Sequence, residues 1–286
     1  METFTQYRIA VANTLWLLVR SLQLLPFSLW FQCWFLPTPQ KLITVKGIPI
    51  SLRGNHLRDT IVDGYMAISC LAEEQYNPPG FILRNGNTVI DIGGHIGSFA
   101  LYAASRVGPQ GKVIVYEPAP DNHAQLARNV AQSGFLNMRI SAAAVAGLKG
   151  DRQFFYDSAN TAMHGFYPNI SRGVGVYQKS GNAFIVPALT LADIFLEHHI
   201  DRCNFLKIDC EGAEYEILYH TPRAVLQKID RIAMEYHNPP FYGLNTREHN
   251  PEQLAAFLRD AGFTVRMAPE NKMHGLLFAV RFTIFV

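Results

Sequence analysis

The chain has 286 residues, 49% of them hydrophobic and 17% charged, with a formal net charge of +2. That length admits one large α/β domain or two small ones, and the apolar fraction suffices for a sizeable core. Scattered Lys and Arg at near-neutral charge argue against a nucleic-acid partner, and the cysteines (Cys33, Cys70, Cys203, Cys210) lack the spacing of a zinc site or a disulfide framework.

Thr14 to Leu36 is almost wholly apolar, with Arg20 as its single charge and all three tryptophans inside it. About 20 apolar residues span a bilayer, but Arg20, Gln23 and Gln32 are costly in hydrocarbon and Pro26 interrupts the run. Three readings stay open: helices packed on the domain or on a second subunit, an interfacial anchor with Trp16, Trp30 and Trp34 at the headgroups, or a span. No small-residue cleavage site follows, which argues against a removable signal peptide. The chain is expected to be cytoplasmic, either free or held at a membrane by this segment. The Pro37-Thr38-Pro39 break closes an N-terminal unit over 1–38.

Residues 39–80 read as a capping region. Leu42 to Arg53 alternates around Gly47 and Pro49 as a β-hairpin, and Ile61 to Gln75 is a helix stopped by Pro78-Pro79-Gly80. From 81 to 286 strands alternate with helices. Strands are expected at Thr88–Asp91, Lys112–Glu117, near Asn137–Ala143, Cys203–Ile208, Arg231–Tyr236, Phe263–Met267 and Leu276–Val286. Helices are expected over Ser98–Val107, from a cap at Asp121 to Ser133, after a cap at Thr190, over Ala213–Leu218, from Pro222, and over Pro251–Ala261. The alternation implies a doubly wound, mostly parallel α/β sheet. Residues 147–190 break the rhythm and read as an irregular β insertion on the substrate side, with a plain surface excursion as the alternative.

Chemistry concentrates at predicted strand ends. Val89 to Leu101 (VIDIGGHIGSFAL) runs a buried strand into Asp91, then Gly93 and Gly97, then a helix, and Lys112 to Glu117 (KVIVYE) ends on a carboxylate. This is the loop that lays backbone against a nucleoside, with Glu117 placed to accept from ribose hydroxyls. A dinucleotide fingerprint needs three glycines as G-x-G-x-x-G, and Ile92 stands where the first belongs. The pattern D-x-G-x-x-x-G, with a carboxylate near the loop, suits the cationic groups of S-adenosylmethionine better than a pyrophosphate.

Lys207 and Asp209 alternate with Ile208 and so share one side of their strand, as Glu235 and His237 do on the next. With Glu211 they form a second group, in which a histidine beside carboxylates could deprotonate a hydroxyl. A buried ion network holding the rim together is the competing reading. Asp209, Glu211, Glu235 and His237 could also hold a divalent ion, but a sulfonium donor does not require one, and no metal is assigned. His95 either touches the ligand or faces outward.

Phe205 to Glu214 (FLKIDCEGAE) resembles the signature of the FkbM-type methyltransferases. Tyr116-Glu117-Pro118 with Asn129, Leu189 to Phe195 (LTLADIF) and Met234 to His237 (MEYH) support the resemblance, which covers roughly Glu73 to His237. It implies a class I, Rossmann-like seven-stranded sheet with an N-terminal helical and hairpin extension, and S-adenosylmethionine as cofactor. Asp91, Gly93, Gly97 and Glu117 would bind that cofactor, and Lys207, Asp209, Glu211, Glu235 and His237 would carry the chemistry. The implied activity is O-methyl transfer to a saccharide, glycolipid or secondary metabolite, a small-molecule or glycan acceptor. Two alternatives are an oxidoreductase binding NAD or a nucleotide sugar, and a non-catalytic scaffold with the same fold.

Overall fold

The computed structural model describes residues 38–156, 161–167, 169–172, 175–178, 183–238, 249–271 and 273–281, together with Val19, Leu22, Gln23, Trp30 and Phe31. Most of the 14–36 segment and parts of the 147–190 insertion therefore lie outside the described residues, as do 282–286 of the last expected strand. Among the described residues no helix is long and apolar enough to cross a membrane. Trp30 packs against one of the two cores.

A hairpin opens the described fold, β1 (Gln40–Val45) and β2 (Ile48–Arg53), followed by helix α1 (Leu57–Ala67). Helix α1 begins one turn before the expected Ile61, directly after His56, and is continued by a π-turn over Ile68–Ala72 that buries Ile68 to Leu71. The core follows as β3 (Thr88–Ile92), α2 (Ser98–Val107), β4 (Lys112–Tyr116), α3 (Pro120–Ser133) and β5 (Met138–Ser141). Asp121 does not cap α3 as expected. Ala119 takes the cap position, because Pro120 suits the first helical turn, where its fixed φ helps and its missing N–H costs nothing.

The insertion is more regular than its sequence suggests. Strands β6 (Ala144–Val145), β7 (Gly150–Phe155), β8 (Asn169–Arg172), β9 (Gly175–Gln178) and β10 (Ala183–Leu189) form a three-stranded sheet of order β6-β10-β7 and a separate β8-β9 hairpin. Helix α4 (Leu191–Glu197) starts in a capping box in which Thr190 and Asp193 exchange side-chain and backbone hydrogen bonds. The chain returns as β11 (Phe205–Ile208), α5 (Glu214–Tyr219), α6 (Arg223–Leu226), β12 (Arg231–His237), α7 (Pro251–Asp260), β13 (Thr264–Pro269) and β14 (His274–Val280).

The main sheet has seven strands in the order β5-β4-β3-β11-β12-β14-β13, with β14 antiparallel to both neighbours and the other pairings parallel. From β3 the chain winds outward to β5, then restarts beside β3 at β11, so the strand order reverses between β3 and β11. In such sheets ligands sit beyond the carboxyl ends at that reversal. The period-2 alternation of strands assigns the faces. Ile90, Ile92, Ile114, Leu206, Ile208, Ile232 and Met234 face one core. Val89, Val113, Val115, Phe205 and Ala233 face the other, together with α2 and Ile43, Val45, Ile50 and Leu52 of the hairpin.

Candidate active site

The same alternation builds the site. Asp91 follows Val89, Glu117 follows Val115, Lys207 and Asp209 follow Phe205, and Glu235 and His237 follow Ala233, all along the hairpin-covered face. Register sets Lys207 directly between Asp91 and Ala233. An apolar face thus turns polar at the carboxyl ends of four strands, on both sides of the reversal.

The loop after β3 is held tightly. The amides of Gly93 and Gly94 both donate to the Tyr116 carbonyl, at 3.0 and 3.1 Å. Lys207 Nζ donates to the Gly93 carbonyl at 2.6 Å. A Cβ on Gly93, whose φ is +81°, would lie 1.8 Å from the Asp209 carbonyl oxygen, so this crossing of β3 and β11 requires glycine. Gly97 opens α2 with φ +92°.

Lys207 is buried with its Nζ 3.2 Å from Asp91 Oδ1 and 3.7 Å from Asp209 Oδ2. Burial alone would lower its pKa, but the Asp91 and Asp209 charges outweigh that and hold the ammonium above its ordinary range. Asp91 is fully buried, and burial pushes its carboxyl up to about 6 against the pull of Lys207. At neutral pH the pair is ionised and ties the loop to β11.

Glu117 is also buried, with Oε2 accepting from the His95 amide at 2.8 Å and Oε1 from the Ala119 amide at 2.9 Å. Burial lifts its carboxyl to about 7 even though both amides favour the ionised form. His95, left open by sequence, turns inward: its Nε2 lies 3.1 Å from Arg53 Nη2 and its Nδ1 is buried with no hydrogen bond. Burial and then the Arg53 charge hold its pKa well below the usual value, so the ring is neutral.

Across the reversal, Asp209, Glu211, Glu235 and His237 come together as the sequence expects. His237 Nδ1 is 2.8 Å from Glu214 Oε1, which also accepts from the Cys210 amide at 3.0 Å. His237 Nε2 lies 3.7 Å from both Glu211 Oε1 and Glu235 Oε1. Burial opposes charge on this ring, but Glu214 and Glu211 overcome it and raise its pKa well above the ordinary value. Glu235 Oε1 is also 3.0 Å from His274 Nδ1.

Tyr76, Arg53, Glu214 and His274 were missed by sequence reasoning. Tyr76 Oη donates to Asp209 Oδ2 at 2.9 Å, and Arg53 hydrogen-bonds Asn122 at 2.8 Å and Thr161 at 3.0 Å. Tyr76 and Arg53 sit in the capping region, where no motif marks them. Glu214 alone carried a signal, as the last residue of the FLKIDCEGAE stretch.

The residues suit S-adenosylmethionine. Glu117 is fixed by two amides, a side chain at Gly93 would meet the Asp209 backbone and one at Gly97 the Leu126 side chain, and carboxylates gather at the carboxyl ends of four neighbouring strands. These features place the chain among the S-adenosylmethionine-dependent methyltransferases. Within that class it belongs to the FkbM family, because residues 91–265 match the Methyltransferase FkbM domain.

Among curated relatives, the chain is similar to "Methyltransferase sdnD" of Sordaria araneosa, 24% identical over 208 residues, covering 62% of this chain and 73% of that one. It is also similar to "31-O-demethyl-FK506 methyltransferase FkbM" of Streptomyces tacrolimicus, 27% identical over 207 residues, covering 65% and 76%. Among solved structures it is similar to methyltransferase FkbM from Methylobacillus flagellatus KT, with 14% identity, a TM-score of 0.42 and coverage of 77% of this chain and 54% of that one. Family membership sets aside the NAD and nucleotide-sugar oxidoreductase reading.

Proposed function

We propose that the chain is an O-methyltransferase whose acceptor is a hydroxyl of a saccharide, a glycolipid or a secondary metabolite. The observation that carries this reading is the trio of partly exposed carboxylates, Asp209, Glu211 and Glu235, with side chains 14%, 12% and 18% exposed around the buried imidazole of His237. A hydroxyl is a poor nucleophile until its proton has somewhere to go, and a carboxylate within reach provides that. The name of the Streptomyces relative specifies a 31-O-demethyl substrate, an oxygen acceptor, which supports the same choice.

S-adenosylmethionine supplies an electrophilic methyl group on a sulfonium. Glu117 would accept from the ribose hydroxyls, and Gly93 and Gly97 would let the loop backbone approach. Asp91 would act through Lys207, which holds that loop in place. Glu235, the most exposed of the three carboxylates, would take the acceptor's proton, oriented by His274 and His237. Asp209, fixed by Tyr76 and Lys207, would align the acceptor with Glu211. Most of the rate would then come from alignment and the exclusion of water.

Incubating the purified chain with methyl-labelled cofactor and a panel of glycans, glycolipids and small alcohols tests this. The reading expects label in a base-stable ether, and loss of turnover in Asp209→Asn with S-adenosylhomocysteine binding retained. Label found only on nitrogen would refute it. Full activity in Asp209→Asn would remove the residue assignment.

A further inference from the structure

The loop after β3 carries a polar group that the protein itself does not match. His95 lies between Gly94 and Gly97 with a φ of +48°, a left-handed conformation that His tolerates better than most residues. It is 7% exposed. Its Nε2 lies 3.1 Å from Arg53 Nη2 and 3.5 Å from Thr161 Oγ1, whereas Nδ1 is buried with no hydrogen bond among the described residues. We propose that the His95 imidazole is a cofactor-binding group, whose Nδ1–H donates to a ribose hydroxyl oxygen of S-adenosylmethionine.

Arg53 sets the tautomer. A guanidinium has N–H donors and no acceptor, so its contact at 3.1 Å requires Nε2 to be the bare, accepting nitrogen. Arg53 is held in that position from three sides. Its Nε donates to Asp63 Oδ2 at 3.0 Å, Nη1 to Asn122 Oδ1 at 2.8 Å and Nη2 to Thr161 Oγ1 at 3.0 Å. Asp63 Oδ1, 3.8 Å from His95 Nε2, is too far to take a proton from the ring in a hydrogen bond. The ring is neutral, through burial first and the Arg53 charge second. A neutral imidazole that is bare at Nε2 carries its proton on Nδ1. Leaving a buried N–H unmatched is costly, and a ligand that accepts from it removes that cost.

The ligand atom follows from the neighbours. Nδ1 is the ring nitrogen nearer the main chain, and the His95 amide donates to Glu117 Oε2 at 2.8 Å. The imidazole and the carboxylate thus belong to one corner. An ionised carboxylate only accepts, so hydroxyls that give Glu117 their protons keep lone pairs that need a donor. His95 provides one beside it. The D-x-G-x-x-x-G pattern leaves this position free, so the motif alone does not mark it.

The inference rests on the ribose lying at Glu117, and the experiment separates the two. Calorimetry on the full wild-type chain and on His95→Phe measures affinity for S-adenosylhomocysteine and for its 2′-deoxy and 3′-deoxy analogues. His95→Phe should weaken S-adenosylhomocysteine roughly tenfold, about 1.4 kcal/mol, and that loss should vanish with the analogue that lacks the accepting oxygen. A wild-type preference for the diol that His95→Phe leaves unchanged overturns the proposal alone. A wild-type chain that binds all three ligands equally removes the ribose placement and the proposal with it. A spectroscopic arm needs only the wild-type chain to be well folded. In nuclear magnetic resonance of isotope-labelled histidine, with the His95 signals assigned through His95→Asn, Nδ1 should be protonated, Nε2 bare, and the Nδ1 signal should move when S-adenosylhomocysteine is added. A proton on Nε2, or an Nδ1 signal indifferent to the ligand, overturns the proposal equally.

Discussion

The Tyr76 hydroxyl donates to Asp209 Oδ2 at 2.9 Å across 133 residues of sequence, and it lies 3.5 Å from Glu235 Oε2. A phenol from the capping region thus closes the acidic rim, although it precedes the matched span 91–265. Its ring stands edge-on to Phe99 with centroids 5.6 Å apart, and Lys207 Nζ sits 5.4 Å from its centre. The capping region therefore contributes a side chain to this rim.

Tyr76→Phe keeps the ring contacts and removes one hydrogen bond. Stability should fall by about 1 kcal/mol, the net value of a typical buried hydrogen bond. Turnover should fall by roughly tenfold, equivalent to about 1.4 kcal/mol of misalignment at Asp209. S-adenosylhomocysteine affinity should be unchanged. Calorimetry and steady-state kinetics separate these effects, and a drop in affinity with kcat intact would move Tyr76 from the acceptor side to the cofactor side.

Gly93→Ala tests the crossing of β3 and β11. The added Cβ meets backbone at 1.8 Å and a φ of +81°, so a loss of more than about 3 kcal/mol is expected, beyond the common range for single substitutions. Gly134→Ala is the control. Its φ of +73° carries the same backbone strain, but nothing lies within 4 Å of the new Cβ. That variant should lose only about 1–2 kcal/mol and bind S-adenosylhomocysteine normally. Chemical denaturation with ligand titration checks both, and equal losses would show that strain outweighs the clash.

Strand ends were readable because two signals coincide there. Apolar alternation fixed the faces of β3, β4, β11 and β12, and the polar residues that break it fell on the site. The elements from Thr88 to His237 accordingly match expectation to within a residue or two at most ends. The contacts from 39–80 were not readable, because a lone Tyr76 or Arg53 in a loop or hairpin carries no period or spacing. The insertion's sheet was hidden for a related reason. Strand β7 reads Gly-Asp-Arg-Gln-Phe-Phe, and its pairing with β10 is set by distant contacts, as in Arg152 with Val186. His95 could not be placed, since its inward turn depends on Arg53 reaching it from another element.

Arg53 reaches the loop after β3 at His95, 3.1 Å away, and within the cap it pairs with Asp63, whose side chain is 0% exposed. Arg53→Met would leave that carboxylate buried without its cation, at a cost of about 3–5 kcal/mol. The sign of the pH effect follows from burial, which already raises the Asp63 carboxyl above 3.8 against the pull of Arg53. Without the guanidinium it rises further, so the folded variant holds a proton that the unfolded chain has released. The stability gap to wild type should be largest at pH 8 and shrink at pH 5, where protonation removes the buried charge. Melting curves at both values check this, and a constant gap would mean that packing rather than charge is lost.

The proposed ribose contact of Glu117 carries its own pH dependence. Its carboxyl lies at about 7 in the folded chain against an ordinary 4.5. The folded state therefore binds more protons than the unfolded one between those values, and stability of the ligand-free chain should decline as pH rises through that window and level off above it. Ligand binding should run the opposite way. Ribose hydroxyls donating to Glu117 favour the ionised form, so binding below pH 7 must release a proton. S-adenosylhomocysteine affinity should fall by up to roughly tenfold from pH 7.5 to 6 as the ionised fraction drops. Glu117→Gln should flatten that profile and cost about 1–3 kcal/mol of binding at pH 7.5, the range for a hydrogen bond to a charged group. Calorimetric titrations in two buffers of different ionisation enthalpy measure the released proton directly. A pH-independent affinity in the wild-type chain would place the ribose elsewhere.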